Sequence, residues 1–310
     1  MKNKFINWMV ISCMMVLGCT SCHRDGTMNP PRKIARIYTI TEDGPKTVAE
    51  WVWKGNRLSK LSTLYRTYEY EYKNGQIHAI TFSKSYNQDT ICYYFHYDKS
   101  GKYLERIEAY AKNNIPDFQW IPYEHWDFTH NDRHQISGYT REFFHSTLSK
   151  SSCEQADILA LLTGNVSFNT IFPSKNETQG KEYHKEIVSF KYEGDNIVEI
   201  RKIRTNSDVE EVSQYYYVDY ANPFLPTITN HYHYFLPIGN SQNLVSESYH
   251  TRIYPDHFPQ ARPLYYHFEY EMIDGCPEKI TMHSEYLNNW DKANKNSEKS
   301  TTVYYCEYVK

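Results

Sequence analysis

Long apolar runs are scarce. Only residues 5–17 form one, and it is shorter than the roughly 18 to 20 positions a membrane-crossing helix needs. Glycine and proline are also few, at 12 and 13 residues, which excludes a collagen-like or low-complexity chain. Neither sign of charge prevails. The 34 Lys and Arg residues against 37 Asp and Glu leave a formal net charge of -3, so nothing in the charge balance points to nucleic acid or an acidic surface as partner. Motifs for bound cofactors and common catalysis are missing too: no G-x-S-x-G elbow, P-loop, dinucleotide fingerprint or H-E-x-x-H helix occurs. No cofactor is expected. No Cys-x-x-Cys pair occurs except Cys19–Cys22.

Tyrosine is what the chain has in excess, with 30 residues. It suits half-buried strands, because its ring packs while its hydroxyl reaches water or a polar partner. The densest stretch, residues 68–82 (YEYEYKNGQIHAITF), reads as a complete β-hairpin. Tyr68, Tyr70 and Tyr72 alternate with Glu69, Glu71 and Lys73, and alternate side chains of a strand point to opposite faces. Asn74-Gly75 follows, and both residues tolerate the positive φ of a two-residue type I′ turn. An unbroken ladder around that turn sets Tyr72 opposite Ile77, Tyr70 opposite Ala79, Tyr68 opposite Thr81 and Glu71 opposite His78.

The pattern of aromatic strand, polar turn and Ile-rich strand returns at 51–61, 93–107, 188–200 and 265–282, and more weakly at 125–139. Its spacing is uneven, which describes a meander of related hairpins and not a strict solenoid. Phe95-His96-Tyr97-Asp98 ahead of Gly101 resembles the tyrosine-aspartate (YD/RHS-type) repeat. Residues 217–224 (YVDYANPF) and 273–280 (IDGCPEKI), with a closing strand at 303–308, extend the resemblance to Bacteroidota lipoproteins built from YD-like hairpins. That resemblance brings no catalytic residues with it.

The N-terminus implies an address. Two lysines precede the apolar run, which ends at Val16-Leu17-Gly18-Cys19. A short basic region, a short apolar region and a small residue before a cut site make a secretory signal. The ending resembles the lipobox of bacterial lipoproteins, which makes Cys19 the lipid-bearing first mature residue; Cys22 is the alternative. Residues 1–18 are then a signal peptide and 19–32 a polar tether. The expected location is the outer membrane of a Gram-negative bacterium, with the periplasmic and surface faces both open.

The body, 33–310, reads as an all-β antiparallel meander with one short packed helix at 152–163. Ser152 caps that helix with Gln155, an apolar stripe runs from Ile158 to Leu162, and Gly164 stops it. One continuous sheet, or two lobes at 33–150 and 183–310 joined around the helix, both fit. Residues 113–122 and 287–300 read as loops, which makes Trp120 and Trp290 candidates for ligand contact. Trp51 and Trp53 share a face and belong to the core.

Chemistry-bearing groups are thinly clustered. His231 and His233 share a strand face and form the best partial metal site, but two ligands fall short of a zinc set, and no metal is expected. His125, Asp127, His130 and His134 form a similar group. Cys92, Cys153, Cys276 and Cys306 lie in a compartment that permits disulfides. Cys276 and Cys306, on neighbouring strands, bridge only if their Cα atoms come within about 7 Å; isolated thiols are the simpler expectation. Glu69, Glu71, Asp98, Asp127, Glu199 and Asp219 read as a solvated strand face. The expected function is non-enzymatic: a lipid-anchored envelope protein that binds or scaffolds a glycan or an envelope protein. The alternative is an envelope polysaccharide hydrolase with paired carboxylates across a groove.

Overall fold

The computed structural model describes residues 32–63, 66–84, 90–112, 120–144, 185–205, 209–222, 241–254, 263–287 and 299–309. Sixteen strands run through them. The first eight are β1 (Ile34–Thr41), β2 (Gly44–Lys54), β3 (Arg57–Thr63), β4 (Arg66–Lys73), β5 (Gln76–Lys84), β6 (Thr90–Tyr97), β7 (Leu104–Lys112) and β8 (Trp120–His130). Then come β9 (Ile136–Phe143), β10 (Lys185–Glu193), β11 (Asn196–Arg204), β12 (Glu210–Ala221), β13 (Asn243–Ile253), β14 (Leu264–Ile273), β15 (Cys276–Tyr286) and β16 (Lys299–Tyr308). Each pairs antiparallel with its chain neighbours, and β16 returns to β1, so the sheet is a closed barrel.

Closure corrects one expectation. The hairpins are staves of one ring, which replaces a meander of YD/RHS-type repeats. β9 pairs with β10 across the interval 145–184, so the sheet is continuous, one of the two arrangements the sequence left open. No helix occurs among the described residues; the expected helix at 152–163 lies outside them.

The barrel is apolar inside. Buried residues from all sixteen strands, Ile34 and Ile37 of β1 through Tyr304 and Cys306 of β16, join in one cluster. Among the described residues nothing covers the outer wall of the ring, and the buried set of each strand faces the inside. Strand β4 shows the division, with Tyr68 and Tyr70 buried while Glu69 and Glu71 are exposed. A round ring of sixteen strands encloses an aqueous channel. Leu58, Leu61, Ile107 and Trp126 have zero exposure, so no open channel runs past these side chains.

A repeated backbone device lies near the short turns. At this end β2–β3, β4–β5, β6–β7, β8–β9, β10–β11 and β14–β15 carry a register shift beside the turn, at Val52/Trp53, Glu71/Tyr72, His96/Tyr97, Thr129/His130, Lys191/Tyr192 and Glu271/Met272, and the β12–β13 pair carries one at Tyr216/Tyr217. The β16–β1 pair shifts equivalently at Ile34/Arg36. The extra residue is a β-bulge, which bends and twists its strand. It also delays pairing with the next stave: the β3–β4 ladder starts at Lys60 and leaves the Leu58 carbonyl without a ladder partner. An aromatic side chain of the next stave fills that place.

Tyr72 donates its hydroxyl to Leu58 O at 2.9 Å, and Tyr97 donates to Ile77 O at 3.0 Å. Tyr192 reaches Ile136 O, Tyr217 Ile197 O, Tyr270 Val245 O and Tyr308 Pro277 O. The Trp53 indole N–H reaches Ile34 O at 2.7 Å, so the seam between the chain ends uses the same staple as the hairpins. In every case the donor lies three residues beyond the last ladder pair. His130 holds that place on β8, with its ring edge-on to Tyr103 at 5.8 Å.

The bulge also corrects the expected register of the first hairpin. Tyr72 does face Ile77, but beyond the shift Glu71 faces Ala79, Tyr70 faces Ile80 and Tyr68 faces Phe82. The turn itself is of the expected primed kind, with φ of 54° at Asn74 and 89° at Gly75. A Cβ on Gly75 meets nothing closer than Arg57 Nη2 at 3.9 Å, so backbone conformation alone resists a side chain there. Gly75→Val should therefore lower stability by about 1 kcal/mol or more. Equal urea midpoints for the two proteins would contradict a left-handed Gly75.

Candidate functional site

Two places stand out as more than packing. The first is a polar layer inside the barrel, on β8–β13 at the end away from the short turns. Arg141 binds Glu124 at 2.5 Å and lies 4.0 Å from Glu186. Lys202 continues to Glu186 at 2.8 Å and Glu211 at 3.7 Å, and Arg204 lies 3.6 Å from each. Arg252 ends the row 3.3 Å from Glu211. The Arg141 guanidinium also packs 4.7 Å over the Trp126 ring, joining the layer to the apolar core. Burial pushes the Glu124 carboxyl up, against the pull of Arg141. Burial also works against ionised Glu186, but Lys202, Arg141 and Arg204 outweigh it and hold that carboxyl below its usual range.

Next to this layer His250 is fully buried. Its Nδ1 lies 2.8 Å from Ser213 Oγ and its Nε2 3.0 Å from Ser248 Oγ, with Tyr215 and Tyr266 edge-on to its ring. The serines occupy both ring nitrogens, and no carboxylate among these contacts orients the ring as a catalytic base needs.

The second place is a groove of about 510 Å³ at the seam where β16 closes onto β1, lined by outward side chains such as Tyr38, Tyr305 and Glu307 and also by Cys306 and Tyr308 of the core side. Tyr38 and Tyr305, opposite each other across the seam, pack with ring centroids 5.4 Å apart and planes at 22°. Charged pairs surround them: Lys279 with Glu271 at 2.5 Å, Arg32 with Glu278 at 3.8 Å, and Arg36 in a two-point contact with Glu307 at 2.7 and 3.1 Å. The Arg36 guanidinium sits 4.9 Å over the Tyr38 ring.

The chain is similar to the crystal structure of a porin-like protein from Bacteroides uniformis ATCC 8492, at 13% identity and a TM-score of 0.48, over 90% of this chain and 98% of that one. It is similar also to a porin-like protein from Bacteroides vulgatus ATCC 8482, at 10% identity and a TM-score of 0.47, over 90% and 99%. No protein-family model and no curated protein matches the sequence.

The residues singled out in the sequence fall in different places. Trp120 opens β8 and is 43% exposed, so it belongs to a strand end and not to a loop. Cys19, Cys153, His231, His233 and Trp290 lie outside the described residues. Cys92, Cys276 and Cys306 are free and buried, and burial pushes the Cys306 thiol up to about 12. His125 lies 3.3 Å from Asp127 and 3.5 Å from Glu142 on the outer wall, while His134 stacks on Tyr103 at the turn. Among the described residues no group of three or more His, Cys, Asp or Glu could hold a metal ion. The six carboxylates read as solvated are indeed outside the core. Sequence reading missed the inner ones. Glu186 and Val188 share the inner face while Ile187 points out, 45% exposed, so charge marks the wrong side at this end of the barrel.

His250 sets a pH dependence. Burial pushes its pKa from the usual 6.5 down to about 3. The unfolded chain therefore takes up a proton that the folded one refuses, and stability present above pH 6.5 falls as pH drops towards 3. The slope is at most about 1.4 kcal/mol per pH unit. In urea titrations between pH 6.5 and 4.5, His250→Gln should lose this part of the slope. Parallel curves for mutant and wild type would contradict a buried neutral His250.

Proposed function

We propose that this chain is a lipid-tethered cell-envelope protein whose barrel is a water-facing, non-conducting body that binds or scaffolds a glycan or another envelope protein. The observation that carries this reading is the polarity of the wall. A barrel that crosses a membrane turns an apolar band outwards and keeps a polar interior. Here the core is apolar and the outer wall carries ion pairs on β1, β7–β11, β15 and β16: Arg36–Glu307, Arg106–Asp127, Lys185–Glu142, Arg201–Glu199 and Lys299–Glu285. A lysine or arginine facing lipid costs about 2–4 kcal/mol at the bilayer midplane, so this wall favours water. The outer-membrane address rests on the Val16-Leu17-Gly18-Cys19 ending and the basic start before it.

The hydrolase alternative has Glu124 and Glu186 as its best pair, since their environments push the two carboxyls apart, as acid and base require. Both are almost fully buried and engaged by arginine and lysine, which assigns them to charge balance inside the core.

Residues 32–310, produced without detergent, should be soluble and monodisperse and should pass no current in planar bilayers. The full chain should incorporate labelled palmitate, and Cys19→Ala should abolish the label and release the protein from membranes. Detergent-dependent solubility with stepwise conductance would overturn the non-conducting body. Unchanged labelling in the variant would remove Cys19 as the anchor.

A further inference from the structure

We infer that the groove at the barrel seam binds a neutral glycan, an assignment that rests on the binding role proposed above and specifies its ligand. Its volume of about 510 Å³ falls within the usual range of small-molecule sites. The pair Tyr38–Tyr305 supplies aromatic surface, and the Arg36 guanidinium 4.9 Å over Tyr38 helps fix its orientation. A pyranose ring has a face of C–H bonds that packs on such surface and a rim of hydroxyls that both donate and accept hydrogen bonds.

The polar fringe matches that rim. Lys279–Glu271 and Arg32–Glu278 line the groove, and Arg36–Glu307 borders it; each pair sets a donor beside an acceptor. Neighbouring sugar hydroxyls can answer both members of a pair at once. Three cations against three carboxylates leave no net field, so an acidic polymer gains no long-range attraction here. A peptide is disfavoured on separate grounds. Adding a strand needs an open sheet edge, and the seam has β16 paired on both sides, with β15 and β1. A helix needs a row of apolar anchor positions, whereas Ile273 is the exposed aliphatic side chain in the lining.

The test is native affinity electrophoresis of the full chain, solubilised from membranes, in gels cast with dextran, mannan, xylan, laminarin or polygalacturonate. At least one neutral polymer should retard the wild-type chain. Tyr305→Ala should weaken that retardation at least tenfold, and Tyr305→Phe should keep most of it, because the ring supplies the contact. Lys279→Met, opposite Tyr305 in the β15–β16 ladder, removes a charge of the fringe while leaving both rings in place and should also weaken binding. Retardation of each variant is read against its own mobility in a polymer-free gel, because Lys279→Met removes one positive charge. Absence of retardation by every neutral polymer would overturn the assignment, as would retardation that survives both Tyr305→Ala and Lys279→Met. Preference for polygalacturonate would overturn it too. Solubility and conductance report the parent reading independently, so a non-conducting, water-soluble barrel that ignores every neutral polymer refutes the glycan assignment alone.

Discussion

Alternate staves of this barrel carry a β-bulge, and each must satisfy the carbonyl that the bulge removes from the ladder. A buried carbonyl without a donor costs roughly 1–3 kcal/mol. Seven such carbonyls recur at equivalent positions here, and each receives an N–H or O–H from an aromatic side chain of the following stave. Tyrosine and tryptophan serve because their rings belong to the core while their polar atoms reach past it to the backbone. The bulges bend the sheet, the staples fix alternate staves on their neighbours, and six of the 30 tyrosines serve in this way.

The same device joins the chain ends. Trp53 binds the Ile34 carbonyl, and Ile34 lies opposite Tyr308, which in turn binds Pro277. The seam is thus built like the hairpins. Arg36–Glu307 and Tyr38–Tyr305 add an ion pair and a stacked pair across it on the outer wall. The seam, rich in paired charge and aromatic surface, is also where the groove forms.

The hairpins were legible because alternation, Asn-Gly or Gly turns and β-branched return strands are local signals. Strand boundaries at β2–β3, β4–β5, β10–β11 and β14–β15 follow from them. Closure was not legible. The pairing of Arg36 with Glu307 joins residues far apart in the chain, and no local pattern encodes it. Nor was the bulge, since one extra residue on β5 moves Tyr70 from Ala79 to Ile80 while leaving the tyrosine–glutamate alternation of β4 untouched. The inner charged layer was hidden for another reason. Alternation tells which residues share a face and not which face is wet, and in β10 and β11 the charged set, Glu186 with Lys202 and Arg204, took the inside. For the groove, Tyr38 and Tyr305 carry no mark in sequence, because only closure brings them together.

A dry interior behind a wet outer wall is the central claim, and two adjacent residues of β10 test it directly. Val188 is buried in the core and Ser189 beside it is exposed, and cysteine is close in size to both. The measurement is the rate of labelling by a membrane-impermeant thiol reagent in Val188→Cys and Ser189→Cys, set against the chain without either substitution. The account predicts rapid labelling of Ser189→Cys without detergent, and protection of Val188→Cys until denaturant unfolds the barrel. Equal rates would mean a water-filled lumen, and protection of Ser189→Cys in lipid vesicles would mean a wall that faces lipid; either would contradict it.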